Sequence, residues 1–206
     1  MHIEPGFVVQ AKVVLANVAV VGVLGLYAKE LMAKPQLIVK SLVAAVCFSL
    51  FMEAFHMQVG PSELHFLGAM PIYLILGFVP ALFGFVLGLL FQGLLLHPTD
   101  LAMLSVNSLS LILPLLAVHF TLGKNLSIQD LNLKTLAKLD GVYYAGVTTM
   151  VGFWLLGEAV TNLSAWATFA VSYAPVVLAE VGFSFGLIKL AQRFGKSQWF
   201  GGVSAV

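Results

Sequence analysis

The residues with the most specific chemical requirement stand at the start, Met1-His2-Ile3-Glu4-Pro5-Gly6-Phe7. With a free α-amino group, a histidine at position two offers one metal ion the amine, its own amide nitrogen and its ring Nδ1, which close two fused chelate rings. These three nitrogens lie in one plane. A fourth would complete the square-planar set that favours Ni(II) or Cu(II) over tetrahedral Zn(II), and His65 is the candidate for it. The alternative is that His2 is an accident beside an initiator methionine. The scheme needs Met1 as the mature terminus. A large second residue is expected to protect Met1 from removal, and neither the basic leader nor the small-residue cleavage site of a signal peptide is clear here.

Other polar residues compete for attention. His65 precedes Phe66-Leu67-Gly68-Ala69 and is expected to begin a helix whose small residues let the N-terminal loop lie close. The alternative for it, and for His56, is an interfacial imidazole bonded to solvent. His97, beside Pro98, reads as a solvated turn residue, and His119 falls near the opposite, cytoplasmic end. Asn17, Gln92, Asn107 and Glu180 lie inside apolar runs, where such groups are expensive and are expected to face the bundle interior. Interhelical hydrogen bonding is the first reading of all four. A supporting role, orienting His65 or the N-terminal loop, is compatible with it.

The elements that must position these groups are membrane spans. The 206 residues are 60% hydrophobic and 9% charged, with a mean hydropathy of +1.01, so several long segments cannot stay in water. An all-α bundle of seven transmembrane helices is predicted, as one domain over residues 1–206. The spans fall at 6–28, 37–55, a broken pair within 65–96, 101–122, 141–160 and 165–190. A single straight helix over 65–96 would reach about 48 Å against a hydrocarbon core of about 30 Å, so a break is expected at Gly77-Phe78-Val79-Pro80.

Charge sets the orientation. Lys29, Lys34 and Lys40 flank the first loop, while the stretch 56–64 carries no Lys or Arg. The positive-inside rule then places the N-terminus outside and the C-terminus inside. Residues 1–6 form an outer metal-binding loop, 123–140 a partly helical cytoplasmic loop and 191–206 a cytoplasmic tail. The expected home is the cytoplasmic (inner) membrane. Gly84-x-x-x-Gly88 and Gly182-x-x-x-Gly186 are close-packing pairs of a common kind. The lone Cys47 reads as a small buried hydrophobe.

Several functions are excluded or disfavoured. The sequence holds no His-Glu-x-x-His, no Gly-x-Ser-x-Gly and no P-loop, so no enzyme is expected and ATP energy would have to come from a partner. No basic patch suggests nucleic acid, and no organic cofactor is expected.

These residues resemble a known family. Met1-His2-Ile3 with Pro5-Gly6-Phe7, then His65-Phe66-Leu67-Gly68-Ala69, Leu76-Gly77, Pro80, Gln92-Gly93-Leu94-Leu95, Ser105-Val106-Asn107 and Ala174-Pro175 through Glu180 are similar to the substrate-binding membrane subunits of nickel and cobalt energy-coupling-factor transporters, the CbiM/NikM type. The likeness covers residues 1–190, and the opening Met-His with a downstream His is its specific part. Gly60-Pro61-Ser62-Glu63-Leu64 and the apolar stretch 109–113 depart from the pattern.

The resemblance implies a bundle with the N-terminal loop plugged into its centre. The metal ligands would be the Met1 amine, the His2 amide and ring nitrogens, and His65. Ni(II) or Co(II) would be the transported ion. Implied partners are a transmembrane coupling protein, a pair of ATPases and a small accessory membrane subunit, all in the lipid bilayer. Two rivals from other classes remain: a stand-alone secondary metal permease, and a structural subunit whose histidines are merely interfacial.

Overall fold

The computed structural model describes residues 2–3, 5–156, 158 and 163–194, without the side chains of His2, Asp130 and Phe194. Among these residues seven α-helices carry the fold: α1 Gln10–Ala33, α2 Pro35–Ala54, α3 Ala69–Leu76, α4 Phe78–Leu95, α5 Leu104–Val118, α6 Leu133–Leu155 and α7 Leu163–Phe194. They follow the seven expected spans in order. Five stretches, including α1, α2, α4, α7 and the continuous Pro98–Gly123 run that contains α5, are long and apolar enough to cross a membrane.

α4 and the Pro98–Gly123 run are largely buried, while α1, α2 and α7 present rows of exposed Val, Leu and Met. This inversion of ordinary surface polarity is what a lipid solvent demands. The close contact in the bundle is α2 on α4, where a Cβ at Gly84 would collide with Ala44 and one at Gly88 with Phe48. The Gly84-x-x-x-Gly88 pair therefore packs backbone to backbone. On Gly182 and Gly186 of the second pair nothing lies within 4 Å.

α3, about 12 Å long, cannot span alone. It meets α4 at Gly77, whose φ of 103° is open to glycine and strained for other residues. Pro80 sits in the first turn of α4, where its missing N–H costs nothing.

Three features differ from the expectation. First, the helices are joined on one side by a small sheet, β1 His2–Ile3, β2 His56–Val59 and β3 Ser62–His65, in the order β1-β3-β2 with antiparallel pairs. His65 ends a strand and does not begin a helix, because Gly68 at φ 59° breaks the chain's direction before α3. Second, in the partly helical stretch expected over 123–140 the helical part is the start of α6 at Leu133, and the loop before it holds a 3-10 turn, Ile128–Asp130, after a π turn, His119–Gly123, that closes the α5 run. Asn132 caps α6 by accepting from the Thr135 amide. Third, α7 extends to Phe194, into the expected tail, and residues 195–206 lie outside the described residues.

Lys12 has a definite place. Its ammonium donates to the carbonyls of Phe153, Trp154 and Leu156 at 3.0–3.2 Å and pairs with Glu158 at 2.6 Å. A cation at a helix C-terminus satisfies carbonyls that have no intrahelical donor.

Candidate metal centre

β3 is the middle strand, and it carries the candidate ligand at its end. On one side His56 stands opposite His65 in register and Gln58 opposite Glu63; on the other side His2 stands opposite Glu63. Strand pairing thus brings the backbone of residue 2 beside a strand that ends two residues later in His65. Met1 and Glu4 lie outside the described residues, as does the side chain of His2.

His65 is 4% exposed, a buried imidazole with both ring nitrogens engaged. Nδ1 lies 3.2 Å from the Met52 carbonyl and so donates to it, while Nε2 is 3.0 Å from Glu63 Oε2. The carbonyl keeps Nδ1 as a donor, so the nitrogen a metal would take is Nε2, and only once Nε2 gives up its proton and its hydrogen bond to Glu63. The other Glu63 oxygen meets His56 Nδ1 at 2.9 Å, and the two imidazoles stack with centroids 6.0 Å apart. The Tyr173 hydroxyl donates to the His65 carbonyl at 3.1 Å.

Two of the span-embedded polar residues hold this assembly. Asn107 Oδ1 accepts from the Ile3 amide at 2.8 Å, tying β1 to α5. Glu180 accepts from the amides of Leu67 and Gly68, fixing the chain just past His65. Each of these buried N–H groups would otherwise be orphaned.

Gln92 acts elsewhere. It donates to Glu53 at 2.9 Å, and the same Glu53 oxygen lies 3.4 Å from His97 Nε2, a separate cluster joining α2, α4 and the turn after it. Asn17 is exposed on α1 and does not face the interior. His119 is a packing residue, stacked on Phe78 at 4.0 Å and bonded to the Tyr73 hydroxyl at 2.9 Å.

Among the described residues no three His, Cys, Asp or Glu side chains form a metal cage. A site drawing on main-chain nitrogens would not need one. Residues 2–197 match the family described as the cobalt uptake substrate-specific transmembrane region, CbiM. This chain belongs to the CbiM family. It is a multi-pass membrane protein and a component of metal uptake. Its fold is that of a crystal structure described as a transition metal transporter, with a TM-score of 0.75, 16% identity and coverage of 96% of this chain and 95% of that one. Comparison with curated proteins gave no match.

In this CbiM chain, sequence reasoning passed over Glu63, Tyr173 and Asp140. Glu63 was legible: it sits two residues before His65, on the same face of any strand. Asp140 was assigned to a loop, although Asn132 three residues before Thr135 marks a helix start that carries Asp140 into the bundle.

Proposed function

We propose that this chain captures Ni(II) or Co(II) outside the cytoplasmic membrane in a square-planar site of four nitrogens: the Met1 amine, the His2 amide and ring nitrogens, and His65 Nε2. It passes the ion inward as the substrate-capture component of an ATP-driven energy-coupling-factor complex. The N-terminus is outside and the C-terminus inside. Its partners are a transmembrane coupling protein, ATPase subunits and a small accessory membrane protein.

The observation that supports this reading is the pairing of β1 with β3, with Ile3 held by Asn107. A two-residue strand has too few ladder bonds to stay docked by itself, so an anchored one implies that the terminus has a task beside His65. The His65 tautomer favoured by the Met52 carbonyl suits a metal on Nε2. The test is titration calorimetry of the purified protein with Ni(II) and with Co(II). Wild type is compared with His2→Ala, His65→Ala and a chain carrying one extra residue before Met1. The extension is expected to abolish tight binding, and tight binding by the extended chain refutes the amine as a ligand.

A further inference from the structure

One face of α7 carries Tyr173, Glu180 and Ser184, spaced by seven and then four residues, and the facing stripe of α6 carries Asp140, Tyr143 and Tyr144. All six are buried, from 0% to 3% exposed. The file begins at the metal centre, where Tyr173 bonds the His65 carbonyl and Glu180 the next two amides. It ends about 10 Å from the start of α6 and about 15 Å from the end of α7, the cytoplasmic ends in the proposed orientation.

The lower part of this file is unsatisfied. Both carboxylate oxygens of Asp140, the Ser184 hydroxyl and the hydroxyls of Tyr143 and Tyr144 have no hydrogen-bond partner among the described residues. The Ser184 hydroxyl lies beside the Asp140 carboxyl and the Tyr144 hydroxyl beside Glu180, and Asp140 is within electrostatic reach of Glu180. No Lys, Arg or His among the described residues pairs with Asp140. Buried polar groups left open in this way point to a ligand, and an acid inside a membrane with no cationic partner is costly unless something neutralises it.

We infer that Asp140, Glu180, Ser184 and the Tyr143 and Tyr144 hydroxyls form a second station for the transported divalent cation, on a route along the α6–α7 seam from the His65 centre to the cytoplasm. The inference rests on the proposed function. Oxygen donors hold Ni(II) and Co(II) more weakly than nitrogen donors do, and a station on a route must bind weakly enough to let its ion leave.

The experiment uses Co(II) as the probe in two assays. Equilibrium dialysis of the purified protein measures stoichiometry, and ATP-driven Co(II) uptake is followed with the whole transporter in proteoliposomes. Wild type should bind one ion tightly and a second weakly at high Co(II). Asp140→Asn should keep the tight site, which also reports correct folding, lose the weak one, and lower uptake by about tenfold or more, because the group would lie on the ion path. Asp140→Glu should restore part of the uptake, and Ser184→Ala should weaken the second site alone. Uptake by Asp140→Asn equal to wild type overturns the route while leaving the outer centre intact. Loss of the tight site in Asp140→Asn, with Asp140→Glu equally affected, overturns it by showing a structural role. Absence of tight binding in the wild type overturns the proposed function, and the route with it.

Discussion

Glu63 Oε2 lies 3.0 Å from Nε2 of His65, the nitrogen a metal would use. The carboxylate is held there from its other oxygen by His56 at 2.9 Å. An ion taking its place at the proposed site would therefore have to displace a charge-assisted hydrogen bond, and such bonds contribute about 1.5–3 kcal/mol. Glu63→Ala removes the competitor and is expected to tighten Co(II) binding by roughly tenfold, an effect of about 1.4 kcal/mol. Calorimetry at fixed pH reads this directly. Weaker binding in the variant would instead make Glu63 an ally of the ion.

Asn107 holds the first strand from the middle of the bundle. Replacing it with Ala leaves the Ile3 amide buried without an acceptor, at a cost of about 1–3 kcal/mol. The cost falls on docking of the strand, so metal affinity should drop by about tenfold to a hundredfold with the bundle's melting temperature little changed. Unaltered protection of the Ile3 amide in hydrogen exchange would count against this account.

Acid should weaken binding. The proposed ligands, an amine, an amide and two imidazoles, would present lone pairs only after giving up any protons they carry, so proton uptake would compete with the metal. With free amines titrating near 8 and free imidazoles near 6.5, lowering the pH from about 7.5 to about 5.5 should weaken Ni(II) binding by at least about a hundredfold. An affinity that stays flat over that interval would be incompatible with nitrogen ligands of this kind.

Gly68 makes the turn between His65 and α3. Its φ of 59° disfavours any side chain, and a Cβ would fall on the Phe51 ring. Gly68→Ala is expected to destabilise the protein by about 2–4 kcal/mol, combining left-handed strain with overpacking. Thermal unfolding in detergent measures the loss, and Phe51→Leu in the same chain should recover the packing share of it.

Lys12→Met leaves three carbonyls at the end of α6 and the nearby Glu158 without their cation. The ammonium is partly exposed, so the expected loss is moderate, about 1–3 kcal/mol in the same unfolding assay.

The helices were legible because apolar length is a strong signal: Gly77 with Pro80 marks a break, and Gly84 with Gly88 marks a close contact that the structure contains. The sheet was not. Its strands are four residues or fewer, and His56-Met57-Gln58-Val59 and Ser62-Glu63-Leu64-His65 read as loop when each is taken alone. Only Gly60-Pro61, a two-residue turn between segments of equal length, hinted at a hairpin. Charge signals misled at Asp140, where neighbouring lysines suggested water although the helix buries the acid. They also missed Lys12, whose partner lies more than a hundred positions away.

The placement of β1 orders events during synthesis. Chains emerge from the ribosome N-terminus first, yet the opening strand has nothing to pair with until β3 exists and no anchor until Asn107 has been made. The residues of β1 are therefore made before either of their partners and are seated only after both exist. A product that stops short of Asn107 would leave β1 without its anchor, so docking of this strand reports that the chain through α5 has been made and assembled.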